Sequence, residues 1–196
     1  VNVQLLAYTP FKVVEEAFNF EDWRDLMPHL CYTFSIEKIS RACSHQLVRH
    51  RIASFSQQSQ RYITVKRLNE RVVIPPSIES QHVFDTLIEH ASNAYQKLVE
   101  NGTPKEDARF VLPNATETSL LMTMEGRSLL HFFGLRTCNR AQWEIKALAD
   151  KMLELLREVE PKIFNTAGPY CYQLGYCPEG RYSCGKMVET IERYSV

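Results

Sequence analysis

Residues 81–100 constrain the fold more than any other stretch. Phe84, Leu87, Ile88, Ala91, Tyr95 and Leu98 recur at helical spacing, Asp85, Glu89, Asn93 and Lys97 turn to the other side, and Asn101-Gly102 ends the run. A helix this long with one apolar stripe needs a cover for that stripe, so a bundle neighbour or a second subunit must supply it. Leu129, Leu130, Phe132, Phe133 and Leu135 mark a further helix after the turn Glu125-Gly126-Arg127. A long helix then buries Ile145, Leu148, Met152, Leu155 and Val159, capped by Asn139 with Gln142 as its capping-box partner, and ends near Pro161.

Shorter elements alternate with these. Residues 3–8, 30–36 and, more weakly, 116–124 have strand character, and 71–74 form a short extended piece before Pro75-Pro76. Val13, Val14, Ala17 and Phe18 place a helix after the first strand, and Ile39 to His50 place another after the second. Thr103-Pro104-Lys105-Glu106 reads as a capping box opening a short helix that carries Arg109 and stops before Pro113. The whole, 1–196, reads as a single α+β domain. Residues 167–196 are expected to be an irregular tail packed on it, since Ala167 to Lys186 holds four glycines, two prolines and four tyrosines.

Formal charge is balanced, 23 basic against 23 acidic side chains, so bulk attraction to nucleic acid or to an anionic membrane is not expected. No apolar run reaches membrane-spanning length and the opening VNVQLLAYTP lacks a secretory pattern, which gives a cytoplasmic expectation. The six cysteines read as free thiols, with Cys31 and Cys43 as small core residues and Cys138 as a neutral thiol at a helix entry. Cys171, Cys177 and Cys184 stand at spacings of six and seven, too wide for a paired zinc knuckle, so no metal is expected.

Against this neutral background, residues 46–62, QLVRHRIASFSQQSQRY, concentrate cations and small hydrogen-bonding groups. A helix ending there would put Gln46 and Arg49 on one face and turn Arg51 away, so the two arginines can serve different ligands. Arginine forks suit phosphates, and Ser54, Ser56 and Ser59 leave backbone amides accessible to an anion. The plainer reading, basic residues complementing a helix end, accounts for Arg49-His50-Arg51 alone but not for Gln46, Ser59 and Arg61 around it.

Arg49-His50-Arg51, seven residues, Ser59 and then Arg61 resembles the signature of the flavin-dependent thymidylate synthases. ARFVLP, GLRTCNRAQWE and MEGRSLLHF are similar to three further stretches of that family, and the resemblance runs over nearly the whole chain. Departures are Ser56 and Gln57, where members often carry Asn and Glu, and Glu125 and His131, at positions often held by Asn. The segment NFEDWRDLMP is also shorter than the flavin-contacting stretch that usually precedes the second strand.

The resemblance implies a small antiparallel sheet flanked by long helices, assembled as a homotetramer with sites at subunit interfaces. It implies that dUMP becomes dTMP, with methylenetetrahydrofolate giving the carbon, FAD the hydride, and NADPH reducing the flavin. Carried over residue by residue, Gln46, Arg49, Gln57, Gln58, Ser59, Gln60, Arg61, Arg109 and Arg136 would bind dUMP. Arg49, His50, Arg51, Gln57, Glu125, Arg127 and His131 would bind FAD. Arg136 would pair with the pyrimidine and favour its deprotonated form, with Ser59 the second residue at the reacting nucleotide. His50 would be a neutral flavin contact, since Arg49 and Arg51 disfavour its protonation.

A different class competes: a non-catalytic RNA- or nucleotide-binding protein using Arg49, Arg51, Arg61 and Tyr62 as a phosphate-and-stacking surface. A nucleotide phosphohydrolase would need an acidic metal cluster, which the sequence does not show.

Overall fold

The structure, a computed structural model, describes residues 1–17 and 20–195. Alternation drives its sheet. In β2 (Cys31–Ser40), Tyr32, Phe34 and Ile36 are fully buried on one face, and in β4 (Glu117–Glu125) Thr118, Leu120, Met122 and Met124 line the same face. The two pair antiparallel, Tyr32 opposite Met124 and Ile36 opposite Leu120. β1 (Asn2–Tyr8) joins the free side of β2 and β3 (Ser54–Gln57) the free side of β4, giving the order β1-β2-β4-β3, all antiparallel.

The helices are α1 (Phe11–Ala17), α2 (Arg41–Leu47), α3 (Gln81–Glu100), α4 (Lys105–Ala108), α5 (Gly126–Arg136), α6 (Trp143–Val159), α7 (Pro161–Phe164), α8 (Tyr170–Leu174) and α9 (Met187–Tyr194). α5 and α6 supply most of the core over the sheet, through Leu129, Phe132 and Phe133, and through Ile145, Leu148, Met152, Leu153 and Leu156. The buried stripe of α6 thus runs through Leu153 and Leu156, while the expected Leu155 and Val159 are half-buried at its margin. Phe18, expected in the α1 stripe, lies outside the described residues.

Several sequence-level boundaries move, each for a local reason. β2 continues past Ile36 because a bulge at Lys38, φ 55°, inserts between the pairs Ile36–Leu120 and Ile39–Thr118. The extra residue keeps Ile36 and Ile39, three apart, on the buried face. α2 therefore begins at Arg41 rather than Ile39, with the Ser40 hydroxyl accepting from Cys43 N–H at 2.9 Å, and it ends at Leu47. Residues 54–57, expected as an anion-wrapping loop, instead form edge strand β3.

Gln142 itself caps α6, accepting from the N–H groups of Glu144 and Ile145, while Asn139 donates to Thr190. The capping box at Thr103 does not form: Pro104 holds the cap position without a side-chain bond, and Glu106 is drawn to Arg61. Cys31 is exposed because strand alternation turns it to the outer face, whereas Cys43 is buried as expected.

The tail beyond Ala167 is not irregular throughout. α8 and α9 bracket a looped stretch, and Arg157 fixes both ends by donating to the carbonyls of Ala167 and Tyr194. Composition suggested a loop, but Thr190 and Tyr194 form a short buried stripe that folds the last turns.

α3 spans the expected 20 residues but buries only Ile88 and Tyr95. It packs on the 3-10 turn Leu68–Glu70 and on α4 as an arm beside the main core, leaving Val83 and Leu87 exposed. The extended piece 71–74 ties this arm to the body, Val72 bridging Thr116 and Val73 N–H donating to the Ala115 carbonyl. Among the described residues no helix is long and apolar enough to cross a membrane.

Candidate active site

A buried carboxylate sets the framework of the site. Glu144, at the start of α6, accepts from Ser40 N–H at 2.7 Å and Ser40 Oγ at 2.5 Å, and so fixes the junction from which α2 departs. α2 then delivers the turn that holds Arg49, His50 and Arg51, whose N–H bonds run from Arg49 to Gln46 O and from His50 to Leu47 O. Those three residues therefore lie just beyond the helix rather than in its last turn. On the other side, α5 starts at Gly126, packed so closely on Met27 that a Cβ would meet the Met27 carbonyl oxygen at 3.0 Å.

Between these walls lies a cavity of about 410 Å³. Arg49 to Ile52 form one side, Met124 and Glu125 the floor, and Arg127, Ser128, His131, Leu135 and Arg136 of α5 the other side. His50 is central. Its ring packs edge-on against Phe132 at 4.9 Å and stands 6.3 Å from the His131 ring. Its Nε2 accepts from Arg136 Nε at 2.9 Å, and Arg136 Nη2 reaches the Gln46 carbonyl at 3.5 Å.

Burial, then Arg136 and His131, push the His50 pKa down to about 4, so the ring is neutral near neutral pH and can accept that bond. Neutrality was expected, but from Arg49 and Arg51; desolvation and the α5 groups are its cause. Glu125 accepts from Ser128 Oγ at 3.0 Å, and His131 Nδ1 shares a hydrogen bond with the Tyr170 hydroxyl. Among the described residues Arg49, Arg51 and Arg127 form no ion pair.

The remaining expected ligands gather elsewhere. Gln57 donates to Thr118 Oγ1 at 3.2 Å on the core side of the sheet, while the next side chain, Gln58, points to the opposite face. Gln58, Ser59 and Gln60 border a small cavity with Arg71 and Thr116. The Gln60 side-chain nitrogen is buried there without a partner. Arg61 donates its N–H to Ser59 Oγ and pairs with Glu106 at 2.8 Å, and Arg109 donates to the Glu106 carbonyl at 3.1 Å.

Within one chain, then, the expected nucleotide ligands fall into two groups. Arg136, Arg49 and Gln46 lie at the end of α2, and Ser59, Gln60, Arg61 and Arg109 lie away from it on the arm side. Arg41 belongs with the second group and escaped the sequence reading. Its pKa is lowered by burial and then by the positive charge of Arg109, so the two cations are near enough to feel one another. A readable signal existed: a cation in the first turn of a helix opposes the macrodipole, and so calls for an anion nearby.

Residues 14–162 match the family described as thymidylate synthase complementing protein. A Geobacter sulfurreducens protein named flavin-dependent thymidylate synthase is 54% identical over 170 residues, covering 85% of this chain and 73% of the relative. One of the same name from Nitratidesulfovibrio vulgaris is 49% identical over 171 residues, covering 81% and 69%. A crystal structure of the Helicobacter pylori flavin-dependent thymidylate synthase, complexed with FAD and dUMP, superposes with a TM-score of 0.73 at 24% identity, covering 86% of this chain and all of that one, which establishes the likeness of fold.

Proposed function

The chain belongs to the thymidylate synthase complementing protein family, and from that premise we propose that it is a flavin-dependent thymidylate synthase, converting dUMP to dTMP. The observation that carries this reading is the His50 cavity, where three unpaired guanidinium groups meet a neutral imidazole and the apolar walls of Ile52, Met124 and Leu135. Such a donor set fits a group with both a pyrophosphate and a flat aromatic ring, which is the chemistry of FAD. Arg49, Arg51 and Arg127 would take its phosphates, with His50, Glu125 and His131 as the remaining contacts in the cavity, whereas Gln57, expected among them, is turned to Thr118. FAD supplies hydride transfer when bound, methylenetetrahydrofolate supplies the carbon, and NADPH supplies the reducing equivalents.

This chain's own part is orientation and charge. Arg136 spends part of its fork on His50 and Gln46, which sets the direction of its other donors. Those donors would face the pyrimidine and stabilise negative charge developing on it. Ser59, Arg61 and Arg109, with Gln58, Gln60 and the newly recognised Arg41, would hold the nucleotide's phosphate end.

Because these groups are separated within one chain, the reading includes a homotetramer in which one protomer's His50 wall faces another's arm. Exposed Val83, Leu87 and Phe110 on the arm, and Ile52 beside the cavity, support it, since apolar side chains in that setting gain from being covered. A cytoplasmic location is part of the same reading.

The test is the visible spectrum of the purified protein, followed by NADPH oxidation that depends on dUMP. We expect a yellow protein, with Arg51→Ala losing flavin and Arg136→Ala keeping flavin but losing dTMP formation. A colourless protein binding oligonucleotides with steep salt dependence would support the nucleic-acid reading instead.

A further inference from the structure

Beside the His50 cavity, and sharing Leu135 and Arg136 with it, lies a second cavity of about 210 Å³. Four of the six cysteines line it: Cys138 from the turn after α5, Cys171 from α8, and Cys177 and Cys184 from the loop between α8 and α9. All four are free thiols. Burial, and then the nearness of the other three, raises the Cys171 pKa.

Among the described residues, the loop carrying two of them has no other anchor. From Leu174 to Lys186 every residue is exposed except Cys177 and Cys184. The hydrogen bonds of residues 176–185 also run only within that stretch, from Tyr182 to Glu179, Ser183 to Gly180, Gly185 to Ser183 and Arg181 to Tyr182. Ordering a dozen residues costs on the order of 1–2 kcal/mol each in conformational entropy, and this loop buries no apolar side chain to offset it. A segment whose only half-buried residues are two cysteines, lining one cavity with two further cysteines, is built to be closed by something that thiolates bind.

We propose that Cys138, Cys171, Cys177 and Cys184 form a four-thiolate centre that holds an iron–sulfur cluster in the open space between them. A lone zinc ion, with Zn–S bonds of about 2.3 Å, draws four sulfurs into a closed shell. Here the thiols surround open space, and among the described residues no three such side chains stand close enough to share one ion. A polynuclear cluster takes four cysteines at that wider spacing. Arg136 and Arg140, on the same wall, would offset its negative charge. The wide spacings of six and seven, which argued against a zinc knuckle, are no obstacle once Cys138 joins the set.

The experiment is metal analysis of the full chain, purified without oxygen and supplied with iron and sulfide, beside Cys177→Ser, Cys184→Ser and the control Cys31→Ser. We expect iron and acid-labile sulfide in equal amounts, about two or about four of each per chain, in the parent and in Cys31→Ser. Either cavity variant should lose most of both, and trypsin should then cut faster at Arg181 and Lys186 in the loop. Flavin content should be unchanged, which separates failure of this proposal from failure of the flavin reading. One zinc per chain without iron would overturn the cluster; no metal bound after reconstitution would overturn the site.

Discussion

The two cationic groups are held in opposite ways. Around His50, the supporting residues are core: Phe132 behind the ring, Glu144 fixing the junction before α2, and Gly126 seating α5 on Met27. Around Arg61 and Arg109, the support is a surface pair with Glu106 and an arm whose long helix buries two side chains. One wall is finished within the protomer, and the other carries exposed Phe110, Tyr62 and Leu87 next to its cations. Apolar exposure concentrated beside ligand-type residues is what the proposed shared site requires of the wall that a second subunit would cover.

Substitutions on the two sides should therefore differ in kind. A large loss of stability, about 3 kcal/mol in urea unfolding, is expected from Glu144→Ala, because it leaves the buried Ser40 N–H without a partner. Leu148→Ala in the core should cost about 2–5 kcal/mol. Leu87→Asp on the arm should change protomer stability by less than about 0.5 kcal/mol, yet lower the mass measured by sedimentation. An unchanged mass would remove the arm from any interface.

His50 gives a pH signature to the finished wall. The unfolded chain binds its proton near the ordinary 6.5, the folded chain only near 4. The contribution to stability is whole above 6.5, falls as pH drops from there, and is gone below about 4. His50→Gln should flatten that part of a melting-temperature profile, and an NMR titration should find the ring neutral at pH 5. A small effect also belongs to the arm: breaking the half-exposed Arg61–Glu106 pair with Arg61→Ala should cost under about 1 kcal/mol, while raising the dUMP requirement.

Legibility in the sequence followed the same division. The span of α3, the strand 117–125 and the start of α5 were readable from period and turn chemistry, because those signals are local. The cluster Arg49-His50-Arg51 was readable because its residues are neighbours along the chain, whereas the α5 side of the same cavity entered only through the family resemblance. The bulge at Lys38 was not, since it exists only to bring Ile36 and Ile39 to one face against β4, and β3 was hidden because Ser54-Phe55-Ser56-Gln57 is a four-residue edge strand with a single apolar side chain. The link between Arg41 and Arg109, and the meeting of Cys138 with the tail cysteines, depend on contacts between distant segments that no spacing encodes.

The most direct measurement is complementation between two inactive variants. If active sites combine one protomer's His50 wall with another's arm, Arg136→Ala and Arg109→Ala chains, each inactive alone, should regain about a quarter of the parental dTMP formation when co-assembled, since that share of interfaces pairs two intact walls. No recovery, in assemblies shown to contain both chains, would contradict a site shared between subunits.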